Sequence, residues 1–528
     1  MMRFKSSLFS FGLLLALLPP LAAQPSVLTF HNDVARTGQN LAEATLTTSN
    51  VKATTFGKLF QVTLDGKVDA QPLYVPKLQL PTLGTHNVLI VATENDSLYA
   101  LDADSGAQLW KTSLLPAGET ASDDRGCDEV APKIGITSTP VIGYKTGTTE
   151  GVIYAVAMSL DTSYNHHQRL YQVGLGGKQL GVVEIAAKVP ATGGYSSGGY
   201  AVFDPAKYKE RSALLLLNGE VYLAWASHCD IGPYTGWIMG YSATTLAQTS
   251  LINVTPNGEA GAIWGGGGGL AADSSGYIYF LDANGTFDTT LTAAGFPING
   301  DFGNSFIKLS AAGKQLKVVD YFAMYDTDRE SDADKDLGSG GALVLPDMID
   351  ANGKVRHLAI GAGKDSDMYI VDRDNMGKFN SQNDNTIYQE LYGALPGGIV
   401  STPAYFSGRV YFGSVNSPIR AFQFSKAVLS STPVSATSTV FPYPGATPSI
   451  SADGSANAIL WAVENNKTAA VLHAYSADNL KQELYNSNQV ANGRDNFGAG
   501  NKFMVPTIAN GKVYVGTPNG VAAFGLLN

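Results

Sequence analysis

Cysteine is nearly absent from this chain: 528 residues carry only Cys127 and Cys229. Two cysteines so far apart do not make a zinc site, and in an oxidising compartment they read as one disulfide. Charge is also sparse, at 15% of residues with a net charge of -10, and no block of Lys or Arg occurs. That excludes a nucleic-acid partner of the usual basic kind. Beyond the N-terminus no apolar run is long enough to span a bilayer.

The N-terminus reads as a signal peptide over 1–23. Arg3 and Lys5 precede an apolar run from Leu8 to Leu18, Pro19-Pro20 break it, and Leu21-Ala22-Ala23 offers a cleavage site. The mature protein is therefore expected to be exported, periplasmic or extracellular, and soluble, with no membrane span. Residues 24–55 read as an N-terminal extension, and 56–528 as one domain.

What is abundant is glycine (58), tyrosine (25) and phenylalanine (22), with 44% hydrophobic residues. Many turns and many aromatics point to an all-β protein with a sizeable core. The segment from Ser97 to Trp110 shows how it is built: an alternating strand, Asp102, the Gly106 turn, and a second strand opening on Trp110. Looser copies recur to the C-terminus, and such repetition constrains a fold strongly. One recurring pattern is a small polar residue and Pro before an apolar strand, as at Ser138-Thr139-Pro140, Ser401-Thr402-Pro403 and Ala446-Thr447-Pro448. A second places Tyr at a fixed point of a β-branched run, at Tyr154, Tyr222, Tyr279, Tyr411 and Tyr514.

Each unit thus reads as a four-stranded antiparallel meander, and radial repetition of such units makes a β-propeller. Eight units are counted, with first strands near Asp69, Ser138, Gly198, Ala262, Gly340, Val400, Ala446 and Val505. The third to fifth are the least regular, so seven blades remain the alternative. The last unit runs out of chain after three strands, and Phe56–Val62 is predicted to supply the fourth and close the ring. Unit spacing of about 46 to 78 residues exceeds the ~40–45 of WD-type blades, leaving long loops for function.

The repeat resembles that of pyrroloquinoline-quinone (PQQ)-dependent dehydrogenases, the quinoprotein alcohol dehydrogenase-like propellers, most clearly over Asn95–Leu114 and Val505–Leu527. The stretches His31–Gln39, Ser227–Asp230, Pro233–Trp237 and Asp372–Gly377 look like those of secreted, largely uncharacterised bacterial members. The resemblance implies the fold. It also implies PQQ and calcium as cofactors of an alcohol or sugar oxidation. The adjacent cysteine pair that such enzymes usually carry is missing, as is the Cys-x-x-Cys-His haem motif of some. Proteins with this repeat also include scaffolds that bind no cofactor.

Candidate site residues come from the irregular loops. His228 and Asp230 flank Cys229 at a strand end, a place suited to acid–base work or local hydrogen bonding. Asp332, Asp334 and Asp336 alternate ahead of Gly338, and alternate carboxylates can converge on calcium, although the spacing departs from an EF-hand loop. Lys364, Asp365 and Arg373 flank a hairpin. Arg373 suits either a bidentate carboxylate grip or an ion-pair network between blades. Arg494, Asp495 and Lys502 repeat the theme, and with Lys133 they are expected to form a polar ring at one channel mouth. The five glycines from Gly265 to Gly269 precede a β pattern, which favours close packing at the axis over phosphate binding. The composite expectation is a binding or scaffold propeller for a protein, glycan or small molecule, with the quinone oxidoreductase as the alternative.

Overall fold

The computed structural model describes residues 26–145, 147, 148 and 150–527; the expected signal peptide lies outside them. Eight four-stranded antiparallel blades surround one axis. Their inner strands are Leu73–Leu80, Val141–Tyr144, Leu215–Leu217, Ala271–Ala272, Leu343–Val344, Ala404–Phe406, Ser449–Asp453 and Thr507–Ala509. We number the blades 1 to 8 in that order. Seven of the expected starts fall within a few residues of these, or nine for blade 4. The third does not: Tyr200–Val202 pairs with Lys188–Pro190 as an inserted hairpin, and the inner strand begins at Leu215.

Phe56–Thr63 pairs antiparallel with Gly520–Leu526 and completes blade 8, so the ring closes through the N-terminal strand as expected. Closure removes the open sheet edges that such a strand array would otherwise present. Three of the second-strand tyrosines lock neighbouring blades, while Tyr279 donates to Asp273 of its own blade at 2.8 Å. Tyr154 donates to the carbonyl of Ala243, Tyr411 to Ala477 and Tyr514 to Ala103, at 2.6, 2.9 and 2.9 Å. Each acceptor lies just after the third strand of the next blade. A buried phenol needs such a partner, which explains Tyr rather than Phe at these three positions. Trp110 does the same from an outer strand, donating to Leu175 of blade 2 at 2.9 Å.

The segment from Val27 to Asn40 circles the axis and meets every inner strand in turn. Val27 pairs with Tyr74, the Leu28 carbonyl accepts from Ile142, and Arg36 donates to Leu214. The carbonyls of Val34, Ala35, Thr37 and Gly38 accept from Ala272, Val344, Tyr405 and Ile450, and the Asn40 side chain donates to Ile508. The innermost edge of each blade faces the channel with unpaired backbone groups, and this loop pairs them. Arg36 is fully buried there, with further donations to Thr29 Oγ1, Phe30 and Leu270. The extension is thus a plug across one end of the channel.

Candidate functional site

The plug leaves one open mouth. The residue four places ahead of each inner strand forms a ring at that level: Asp69, Thr137, Arg211, Gly267, Ser339, Val400, Gly445 and Phe503. Arg211, Gly267, Ser339, Val400 and Phe503 line an axial cavity of about 120 Å³, and Gly445 lines the recess beside it. Most members are small, which opens the space. Gly266 and Gly267 have φ of 55° and 84°, and a Cβ on either would strike Ser401 or Arg211. Close packing at the axis therefore accounts for the glycine run.

Above the ring the cavity wall carries Glu129, Asp230, Trp264, Asp336, Lys364, Tyr443 and Lys502. Cys127 and Cys229 form a disulfide. It staples two long loops at the points that deliver Glu129 and Asp230. Glu129 pairs with Lys502 and lies 3.6 Å from the buried Lys209 ammonium. Burial pushes its carboxyl up, but the two lysines hold it below the ordinary range. Lys364 bridges Asp334 at 2.8 Å and Asp336 at 2.7 Å. Burial lifts the Asp336 carboxyl to about 6 against the pull of Lys364. Asp230 accepts from Ser227 Oγ and Tyr234 Oη at 2.6 and 2.9 Å. Asn284 donates to Asp334 at 3.0 Å, while its Oδ1 and the Oδ1 of Asp336 are buried without a hydrogen-bond partner.

Of the nine funnel candidates, the structure brings Asp230, Lys364 and Lys502 to this cavity, together with Asp336 from the acidic loop. Lys133 donates to Asn95 at 3.0 Å in a separate hollow. His228 lies behind the disulfide loop, its Nε2 2.7 Å from the Asp124 carbonyl. Burial pulls its pKa to about 4, so the ring is neutral near pH 7. Asp365 accepts from Tyr369 Oη at 2.7 Å in an acidic hollow between blades 4 and 5. Burial pushes its carboxyl to about 7. Arg373 is buried and joins blade 5 to blade 4 through Asp273 at 2.9 Å. Arg494 and Asp495 tie blade 7 to the closing strand through Phe56, Lys58 and Tyr485.

Asp332, Asp334 and Asp336 do not converge. Asp332 ends a short helix, Thr327–Asp332, and the other two share Lys364. Among the described residues the one group of three His, Cys, Asp or Glu ligand atoms within 4.8 Å is Cys127, Glu129 and Cys229. Its sulfurs are joined to each other, which leaves a single carboxylate.

Sequence reasoning missed Glu129, Arg211, Trp264, Asn284 and Phe503. Arg211 had a signal: it directly precedes Ser212-Ala213-Leu214, which stands where other blades carry Ser-Thr-Pro, in the place that Thr137 and Val400 take there. The others have none, because only the closed ring brings them together.

No family model and no curated protein matches the chain. Solved structures do. Quinohemoprotein alcohol dehydrogenase from Comamonas testosteroni is similar at a TM-score of 0.61 and 14% identity, covering 96% of this chain and 81% of that one. The alcohol dehydrogenase ADHIIG from Pseudomonas putida HK5 gives 0.60 and 14%, covering 95% and 80%. A europium-containing methanol dehydrogenase gives 0.62 and 12%, covering 96% and 99%. These likenesses establish the fold alone, an eight-bladed β-propeller.

Proposed function

We propose that the chain is exported and binds a small ligand in its axial cavity, and that a PQQ- and calcium-dependent oxidation of an alcohol or sugar is the reaction this cavity suits. Export rests on the disulfide, which belongs to oxidising compartments. Among the described residues no helix is long and apolar enough to cross a membrane.

The observation that carries the reading is a pair of orphaned oxygens. Asp336 Oδ1 at the cavity wall and Asn284 Oδ1 behind it are buried without partners, on loops linked through Asp334 and Lys364, and Asp230 lines the cavity with Asp336 from blade 3. Hard oxygen donors from several loops suit calcium. Trp264 and Phe503 offer ring faces to a flat organic group. The residues therefore fit both components: Asp230 and Asn284 would offer oxygens to the cation, Asp336 would stay free of it, and Trp264, Lys364 and Arg211 would hold the quinone. When bound, the pair supplies a two-electron acceptor and a Lewis acid. Asp336 is then the residue to take a substrate hydroxyl proton, because burial sets its carboxyl near neutrality and Lys364 steadies the anion.

The test adds PQQ and calcium to purified protein, with a bound chromophore and dye-linked alcohol oxidation as readouts. Asp336→Asn is expected to retain the chromophore and lose about a hundredfold or more in turnover. Absence of quinone binding at micromolar concentration overturns the enzyme reading. The second reading is a binding or scaffold propeller without catalysis. It is favoured by the ion pairs Glu129–Lys502 and Asp336–Lys364, which balance these cavity charges without any ligand.

A further inference from the structure

We propose that Arg211 anchors a carboxylate of the ligand at the floor of the axial cavity, so that the molecule bound there is a small organic acid. The inference rests on the reading that this cavity binds a small molecule, and it names the chemical class.

Three observations carry it. First, Arg211 is 3% exposed, its Nε is buried without a partner, and it makes no ion pair or side-chain hydrogen bond with any described residue. The other cations of the wall are matched: Lys364 by Asp334 and Asp336, and Lys502 by Glu129. A buried charge without a partner is costly, and a fixed protein keeps one where a ligand completes it. Second, the guanidinium is held in plane. It lies 3.8 Å from the centre of the Phe503 ring, which comes from the far side of the axis. Gly267 lacks the Cβ that would displace it. A fixed planar fork is the geometry that accepts both oxygens of a carboxylate. Third, the guanidinium borders both the cavity and the recess beside it, while Trp264 and Tyr443 give the walls apolar faces for a carbon skeleton. Asp69, Glu94, Glu129 and Glu210 act on it from beyond contact, so it keeps its charge near pH 7, with its pKa lowered to about 10 by burial.

A carboxylate at this point comes from one of two sources, the quinone's own acid groups or a substrate acid. The experiment is isothermal titration calorimetry on the disulfide-intact chain in calcium. The probes are lactate and benzoate, each against its neutral counterpart 1,2-propanediol or benzyl alcohol, and PQQ in parallel. At least one acid is expected to bind better than its neutral counterpart, or PQQ to bind. Arg211→Gln should weaken that binding about thirtyfold or more. Gly267→Ala, which moves the guanidinium without deleting it, should act in the same direction and guards against a folding defect in the first variant. Dependence of PQQ alone on Arg211 assigns the carboxylate to the cofactor. Dependence of lactate or benzoate assigns it to a substrate. If lactate or benzoate depends on Arg211 while PQQ does not bind at all, the oxidoreductase reading fails and the clamp stands. The proposal is overturned if no probe binds, or if Arg211→Gln binds every acid within about threefold of the parent.

Discussion

Removing the Cys127–Cys229 bridge tests whether the long loops are held by the covalent link or by their own packing. The bridge spans 102 residues and encloses blade 2, the inserted hairpin and the first two strands of blade 3. In the chain-entropy account a loop of that size contributes about 4.7 kcal/mol at 25 °C. Spread over an unfolding entropy of about 2.1 cal/mol/K per residue, some 1.1 kcal/mol/K for the whole chain, this converts to a melting point about 4 °C lower. The assay is calorimetric or fluorescence melting of the Cys127→Ala/Cys229→Ala variant beside the oxidised and the reduced parent. The local consequence is sharper than the global one. Glu129 stands two residues from one sulfur and Asp230 one residue from the other, so loosening the loops should break the Glu129–Lys502 pair. Ligand binding in the cavity is expected to weaken at temperatures well below melting. A melting shift below about 1 °C together with unchanged cavity binding would refute the reasoning, and would mean that packing alone sets the loops.

Three further outcomes follow from the fold. Arg36→Ala leaves the carbonyls of Phe30, Leu214 and Leu270 without their charged donor inside the plug. It should cost about 3–5 kcal/mol, read as a lower melting point, with Arg36→Lys recovering only part because the fork is lost. Gly520→Ala places a Cβ against the Val62 carbonyl at a φ of 147°. It is expected to loosen the closing strand by about 2–4 kcal/mol, detected as faster limited proteolysis near Phe56–Thr63. His473 is buried between Glu464 at 3.3 Å and Glu483 at 2.7 Å. Burial lowers its pKa, but the two carboxylates raise it by more, so the folded value stands above the ordinary ~6.5. Its contribution is complete below that value and is lost as pH rises through the higher folded one. The parent should therefore lose stability towards alkaline pH, and His473→Gln should flatten that slope in a melting series.

The blades were legible because each repeats a local physical necessity. A strand entered through Pro needs no ladder N–H, and a tyrosine at a fixed point of the second strand needs an acceptor, which the next blade's turn supplies for Tyr154, Tyr411 and Tyr514. Blade 3 misled because an inserted hairpin at Tyr200–Val202 copies the strand pattern, while the true inner strand at Leu215–Leu217 is short and entered through Arg211. The candidate site was legible only in part. Charged residues at turns look alike in sequence whether they face the axis or bind a neighbouring blade. Lys364 and Arg373 flank one hairpin, yet Lys364 reaches the cavity and Arg373 the blade 4 carboxylate Asp273. Which end of a hairpin points to the open mouth is decided by ring closure, a property of the whole chain.

Ring closure also explains why the candidate site sits where the repeat fails. A propeller built from eight equal units would present eight equal residues at the axis, and such a ring has no direction in which to orient a ligand. Asymmetry must enter at individual blades. Here it enters at Arg211 on blade 3 and Phe503 on blade 8, which meet across the axis, and at a disulfide that joins the loop before blade 2 to a loop of blade 3. Most other members of the same ring stay small and leave the space open. The plug supplies the second asymmetry. By pairing the inner edges of all eight blades it seals one end of the channel, so a molecule in the cavity enters from the loop side and meets the Arg211 level as its floor. Substitutions of ring residues should therefore alter binding far more than stability. Substitutions in the plug should do the reverse, and measuring both properties on both sets separates the two roles.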